Sequence, residues 1–278
     1  MRVGLATIQR GRREHLRRQV AGVAAQTRRP DAYVVVSMDP ASADRPSPDG
    51  PRIDDPDPRV IRMPVADELP LPLAAARNAA VAALDGMDLV VLLDTDCIPG
   101  PELVARYADA TRERGGLLAG PVGHLPAGRP SATVLTEDDR RAARVRGGRP
   151  VPDAGALLDE PRHELFWSLS FAVTPLTHER IGGFDEGYAG YGGEDTDYAF
   201  RARRAGVGLT WVGGAWAYHQ DHPVSDPPIE HLHDVVRNAR RFRAVWGRWA
   251  MEGWLAAFAA RGLVEWDPDG DHLELAAG

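Results

Sequence analysis

An α/β fold, with a mostly parallel sheet carrying helices on both faces, is what this 278-residue sequence predicts. Three observations point there. Short apolar runs bounded by polar residues recur along the chain, as suits strands buried on both faces of a sheet. Stretches with apolar residues at helical spacing stand between them, the alternation of a doubly wound sheet. The clearest run, Leu89-Val-Val-Leu-Leu93, stops on two carboxylates, Asp94 and Asp96, and ligands of open α/β sheets gather at the carboxyl ends of such strands.

In chain order, Arg2 to Ile8 reads as a first strand, and Leu16, Val20 and Val23 mark a helix after the loop Gln9-Arg-Gly-Arg12. Tyr33 to Asp39 is the second strand. Pro40 to Pro58, rich in Pro, Asp and Ser, reads as a surface loop, and Val60 to Met63 as a short third strand. Leu73, Ala76, Ala80 and Leu84 form one helical stripe, closed by Gly86. Gly100-Pro-Glu-Leu103 opens a helix running to Gly115, with proline at its first position and an acid in its first turn, and Leu117 to Val122 is one more strand.

Residues 121–165 read as a mobile insertion, charged and glycine-bearing, with at most one short helix. Ser168 to Val173 is a strand, followed by a short helix that Gly182-Gly183 ends. A helix from Glu194 to Ala205 stops at Gly206, and Val207 to Val212 and Trp216 to His219 are strands. Residues 223–278 form a C-terminal extension: helices over Ile229 to Trp246 and Met251 to Ala260, then a hairpin turning at Asp269-Gly270. These helices are open to packing on the sheet, shaping an acceptor site or pairing two subunits as a homodimer.

Composition narrows the function classes. A net charge of -7 and pI near 5.7 give no support for nucleic-acid binding. No apolar run reaches the roughly 18 residues that span a bilayer, and the N-terminal run is too short for a signal peptide. One cysteine, Cys97, excludes an internal disulfide and fits a reducing compartment, so a cytoplasmic location is expected. Every basic residue is arginine, which reflects a GC-rich genome more than a demand for guanidinium chemistry.

The chemistry-bearing residues fall in four stretches. Alternation along a strand points the two carboxylates of Asp94-Thr-Asp96 the same way, toward a divalent cation or a sugar hydroxyl. Upstream, Ala74-Ala-Ala-Arg-Asn-Ala79 offers Arg77, whose planar fork suits phosphate or a uracil carbonyl. Downstream, Ile181-Gly-Gly-Phe-Asp-Glu-Gly-Tyr-Ala-Gly-Tyr-Gly-Gly-Glu-Asp-Thr-Asp197 combines glycines that admit a close ligand, aromatic rings that can stack on a pyranose, and acids at a helix N-terminus. The remaining stretches are Arg10-Gly-Arg-Arg-Glu-His-Leu16 and Trp216-Ala-Tyr-His-Gln-Asp-His222.

Together these stretches resemble the GT-A class of nucleotide-sugar glycosyltransferases, spanning the family-2 enzymes and the C-terminal signature of the β-1,4-galactosyltransferases. The similarity covers roughly residues 1–222, with a nucleotide-binding half over 1–120 and an acceptor and catalytic half over 166–222. It implies a GT-A (Rossmann-like) sheet and an inverting, metal-dependent enzyme that moves a hexose from a UDP-sugar to a hydroxyl acceptor. Arg10, Arg12, Asp39, Arg77 and Asp94 would seat the nucleotide and sugar, and Asp96 with His219 would hold Mn²⁺, with Mg²⁺ as substitute.

Asp195 matches the family's catalytic base, and Glu194, Tyr188, Tyr191 and Trp167 fall on the acceptor side. The helix N-terminus is expected to keep Asp195 ionised. Retaining relatives tend to lack this second acid, which argues for inversion. The galactosyltransferases carry tryptophans where Ala189 and Tyr191 stand, so their acceptor preference does not transfer. Two rivals are a sugar-nucleotide nucleotidyltransferase, for which Gln9 to Arg12 is a poor phosphate loop, and a non-catalytic sugar-binding module, which needs no ordered acids and histidine.

Overall fold

The computed structural model describes residues 1–41, 58–130, 132–223 and 225–276. The chain begins with β1 (Val3–Gln9), α1 (Arg13–Ala24), β2 (Ala32–Ser37) and β3 (Arg59–Arg62). Most of the loop expected between Pro40 and Pro58 lies outside the described residues. Then come α2 (Leu73–Ala82), β4 (Leu89–Leu93), β5 (Cys97–Pro99), α3 (Leu103–Glu113), β6 (Leu117–Ala119) and β7 (Val122–His124). The middle holds α4 (Glu137–Ala142), β8 (Arg144–Val145), β9 (Leu157–Glu160), β10 (Ser170–Val173), α5 (Pro175–Ile181) and α6 (Glu194–Arg204). The chain closes with β11 (Leu209–Val212), β12 (Ala217–His219), α7 (Leu232–Trp246), α8 (Glu252–Ala260) and the antiparallel pair β13 (Val264–Trp266) and β14 (Leu273–Leu275).

Eight strands make the main sheet, in the order β3-β2-β1-β4-β10-β6-β11-β9. Strands β1 to β4 pair in parallel, β11 is parallel to β6, and β10 and β9 run against their neighbours. Period-2 alternation divides the core. Val34, Val36, Val90 and Leu92 face α2 and α6 in one cluster, while Val35, Val91 and Leu93 face α1 and α3 in the other. The expectation of helices on both faces therefore holds, in a sheet that is mixed.

A second sheet, β5-β12-β7-β8, is where the sequence reading needs correction. The single strand expected over Leu117–Val122 is two strands in different sheets, because Gly120 marks the crossing. A Cβ at Gly120 would lie 2.0 Å from the Ala215 carbonyl oxygen, and its N–H donates to the buried Tyr107 hydroxyl at 2.7 Å. The insertion is also more regular than its composition suggested. Thr136 and Asp139 close a capping box at the start of α4, β8 joins the second sheet, and β9 edges the main one. The α3 helix starts at Leu103, so Pro101 lies before it and its first turn holds no acid.

The C-terminal helices pack on the glycine-rich loop and α6. Phe242 meets Phe200 edge-on at 5.3 Å, Trp246 Nε1 donates to Asp197 Oδ1 at 2.7 Å, and Arg241 pairs with Asp185 at 2.8 Å. A separate apolar cluster of Val235, Val236, Trp249, Leu255, Phe258 and Val264 ties α7, α8 and the hairpin together. Among the described residues, no helix is long and apolar enough to cross a membrane.

Candidate active site

The Asp94-Thr-Asp96 segment is a tight turn between β4 and β5, in which Cys97 N–H donates to Asp94 O at 2.8 Å. Strand alternation therefore does not orient its carboxylates, and the two acids take different partners. A buried amide holds the turn: Gln19 Nε2 donates to Asp94 O at 2.7 Å and to Cys97 O at 2.9 Å. The Tyr33 hydroxyl in turn donates to Gln19 Oε1 at 2.6 Å.

Asp96 turns toward the histidines. In the second sheet Cys97 is in register with His219, and Gln220 N–H donates to Asp96 O at 2.7 Å, so the turn and the downstream loop are stitched together. Asp96 Oδ2 lies 3.4 Å from His222 Nε2 and 3.6 Å from His219 Nε2, and it also accepts from Arg12. Asp96, His219 and His222 each offer one ligand atom, all within 4.8 Å of one another.

The donor chemistry of this trio suits a divalent cation. Burial alone would raise the Asp96 carboxyl, but the His222 hydrogen bond and the charges of His219 and Arg12 hold it well below its usual range. Burial pulls His219 below its usual value against the opposing charge of Asp96, which leaves the neutral imidazole that ligates metals. One carboxylate and two imidazoles make a mixed oxygen and nitrogen set of the kind Mn²⁺ accepts.

Asp94 turns instead toward Arg77. This guanidinium, 4% exposed, donates to Asp94 Oδ1 at 3.2 Å and to Glu194 Oε1 at 2.9 Å. Burial would discourage its charge, yet Asp94, Glu194 and Asp195 together hold it firmly protonated. Arg77 thus joins the acidic turn to the first turn of α6. Its neighbour Asn78 donates to Phe184 O at 2.9 Å and accepts from Phe184 N–H at 2.9 Å, fixing the start of the glycine-rich loop.

Asp195 is half-buried beside that bridge. Burial first, then the charge of Glu194, raises its carboxyl to about 7, while Arg77 and the Thr196 N–H oppose the rise. The helix N-terminus therefore does not dominate as expected. The second carboxylate oxygen of Glu194, Oε2, is buried with no hydrogen-bond partner among the described residues.

On the nucleotide side, Asp39 accepts from Gly11 N–H at 2.7 Å and from Gln9 Nε2 at 2.7 Å, pinning the end of β2 to the loop after β1. Arg10 is occupied by Met38 O, Val65 O and Asp67. Arg12 reaches across to Asp96, so of these residues it is the one that touches the metal-type cluster.

The aromatic candidates separate. Tyr188 is 1% exposed, and its hydroxyl donates to Asp197 at 3.4 Å, so its ring has no open face for a sugar. Tyr191 is 39% exposed and stacks on His231 at 4.5 Å and on Trp254 at 5.7 Å. Its hydroxyl is pushed up to about 12 by burial and, after that, by the charges of Asp195, Glu194, Asp96 and Asp94. Trp167, on the other side, carries the Arg149 guanidinium 3.3 Å from its ring centre.

Three residues that matter here carry no site role in the sequence reading, which sets His222 outside the metal's own ligands. His222 completes the metal-type trio, and its i,i+3 spacing from His219 was a readable signal. Gln19 gave none, since a lone glutamine on a helix has many uses. Asn238 of α7 donates to Gly192 O at 2.8 Å and Ala189 O at 3.1 Å, holding the glycine-rich loop from 46 or more residues away.

Residues 162–223 match the family described as the N-terminal domain of galactosyltransferase. The chain is 28% identical over 231 residues to a validoxylamine A glucosyltransferase of Streptomyces hygroscopicus subsp. limoneus, covering 74% of this chain and 49% of that protein. A protein of the same name from S. hygroscopicus subsp. jinggangensis is 28% identical over 186 residues, 58% of this chain and 42% of that one. The chain thus spans about half the length of the curated relatives it matches.

Among solved structures, GalNAc-T7 with UDP, GalNAc and Mn²⁺ superposes with a TM-score of 0.61 at 16% identity, covering 94% of this chain and 50% of that one. S. aureus TarS does so with a TM-score of 0.58 at 14% identity, covering 95% and 44%. The resemblance carried by the four sequence stretches is borne out in the architecture: the chain has the GT-A fold of the nucleotide-sugar glycosyltransferases.

Proposed function

We propose that the protein is an inverting, metal-dependent hexosyltransferase, acting in the cytoplasm, that moves a sugar from a UDP-sugar to a hydroxyl acceptor. The observation that carries the reading is the cluster of Asp96, His219 and His222 on a turn whose Asp94 is linked through Arg77 to Glu194, the neighbour of Asp195. A sugar-binding module has no use for that linkage. The GalNAc-T7 structure was solved with UDP and Mn²⁺, which supports the same donor class and metal here. The name of the two Streptomyces relatives puts a glucosyl donor first in the order of testing.

Asp96, His219 and His222 would hold Mn²⁺ or Mg²⁺, which when bound neutralises charge growing on the departing diphosphate. Asp39 and the loop from Arg10 to Arg12 face the nucleotide. Asp94 is kept in place by Arg77 for the ribose or the sugar. Asp195 takes the proton of the acceptor hydroxyl and holds it on its carboxylate while the oxygen attacks the sugar carbon from the face opposite the diphosphate. Glu194 presents its unpartnered Oε2 to an acceptor hydroxyl, and Tyr191 offers the aromatic surface beside it.

A calorimetric screen of UDP-sugars with Mn²⁺, followed by UDP release with candidate acceptors, tests this. Absence of UDP-sugar binding with and without Mn²⁺ would sink the reading. Pyrophosphate release from UTP and a sugar phosphate would favour the nucleotidyltransferase. Tight sugar binding without UDP release with any acceptor would favour the binding module.

A further inference from the structure

The segment between β7 and β9 brings two arginines to the cleft. Arg146 follows β8, and Arg149 follows three residues later. With His124, Trp167 and Trp211 they line a small hollow of about 20 Å³ where the two sheets meet. This hollow adjoins the metal-type trio, because His124 and His219 are in register on adjacent parallel strands with ring centres 4.8 Å apart.

The charge balance here differs from the rest of the cleft. Arg10 meets Asp67, Arg12 meets Asp96, and Arg77 meets Asp94 and Glu194. Among the described residues Arg149 pairs with no carboxylate: its Nε donates to Leu165 O at 2.8 Å, its Nη1 to Arg146 O at 3.4 Å, and its flat face lies on Trp167. No described residue hydrogen-bonds or pairs with the Arg146 guanidinium. Two arginines with no carboxylate partner among the described residues therefore line one hollow beside a site suited to a divalent cation.

We propose that Arg146 and Arg149 form an oxyanion-binding arm that grips the diphosphate of the sugar nucleotide beside Asp96, His219 and His222. This rests on the glycosyltransferase reading and gives the insertion a task. Arg149 is preset by its stack on Trp167 and its hydrogen bond to Leu165 O, and Arg146 is free to swing onto the ligand. Guanidinium groups pair with phosphate oxygens through charge-assisted, often bidentate hydrogen bonds, which suits both donor binding and charge gained by the leaving group.

The test is calorimetry of UDP and of inorganic pyrophosphate, each with Mn²⁺, on wild type, Arg146→Gln and Arg146→Gln/Arg149→Gln. Arg146→Gln changes an exposed side chain and should leave the melting temperature unchanged. Affinity for both probes should fall by about tenfold for one lost charge-assisted bond, and further in the double variant. Wild-type binding of UDP that both variants match would overturn the arm and leave the glycosyltransferase reading standing. Retained UDP and pyrophosphate affinity with weakened binding of an anionic acceptor would overturn it too, moving the arginines to the acceptor. A wild-type protein that bound neither probe would overturn both.

Discussion

Arg77 Nη1 donates to Glu194 Oε1 at 2.9 Å across 117 residues of sequence, and the same guanidinium holds Asp94 through Nη2. One buried cation thus ties the turn after the central strand to the first turn of the catalytic-type helix. Removing a single member of a buried ion pair leaves the others uncompensated, at a typical cost of about 3–5 kcal/mol. Arg77→Met should therefore lower stability by about that amount in urea titrations. Arg77→Lys keeps the charge but loses the fork. It should fold with a smaller loss and lose turnover because Glu194 and Asp94 are no longer held by one rigid group.

The elevated carboxyl of Asp195 gives the reaction a pH signature. A base must be ionised, and ionisation of a group raised to about 7 is lost as pH falls through neutrality. Turnover under saturating substrate should therefore climb with pH through about 7, well above the range of an ordinary aspartate. Arg77 opposes the rise at Asp195, so Arg77→Lys should leave this limb nearly in place and Arg77→Met should move it upward. Asp195→Asn should abolish most turnover, by about 100- to 10,000-fold, while UDP affinity stays. Near-normal UDP release by that variant would remove Asp195 from the role of base.

How much of this was legible in the sequence differs by element. Leu89 to Leu93 and Val34 to Val36 are apolar runs buried on both faces, and they read correctly because burial alone sets their composition. The fork in the path at Gly120 and Pro121 did not, because a change of sheet leaves no periodic trace. Asp94 and Asp96 were visible as a pair, but their division between Arg77 and the histidines depends on a turn held by Gln19 and by Gln220, far away in the chain. Arg77 was noticed for its fork, and its carboxylate partners lie 17 and 117 residues away, beyond what local spacing reveals. Tyr188 looked like a sugar platform by its place in a glycine loop, and packing against Phe200 and Phe242 buried it.

The metal-type trio makes a prediction that separates its members from Arg12. Both histidines lie against Asp96 Oδ2, which Arg12 also occupies. A divalent cation binding there competes with the guanidinium. His219→Ala and His222→Ala should each weaken Mn²⁺ binding by at least about tenfold, as loss of one coordinating or orienting group typically does. Arg12→Gln should strengthen binding of the bare ion, because it removes a competing positive charge. EDTA should stop UDP release, with recovery on Mn²⁺. Equal Mn²⁺ affinity in wild type and His222→Ala would exclude His222 from the site.

The glycine before α6 sets the aim of both acids, and it can be tested against a glycine that does not. Gly193 sits at φ +91°, a conformation that side-chain-bearing residues adopt at a cost of about 1–3 kcal/mol. An added Cβ would also lie 3.2 Å from the ring of Tyr188, which is packed against Phe200 and Phe242 and has little room to yield. Gly193→Ala should accordingly lose stability by about that strain and rotate the first turn of α6, so turnover falls more than UDP affinity. Gly208 carries no such constraint, since its added Cβ meets nothing within 4 Å and its backbone is outside the left-handed region. Gly208→Ala should therefore match wild type in both melting temperature and UDP release. If the two variants behaved alike, the left-handed turn at Gly193 would not be what positions Glu194 and Asp195.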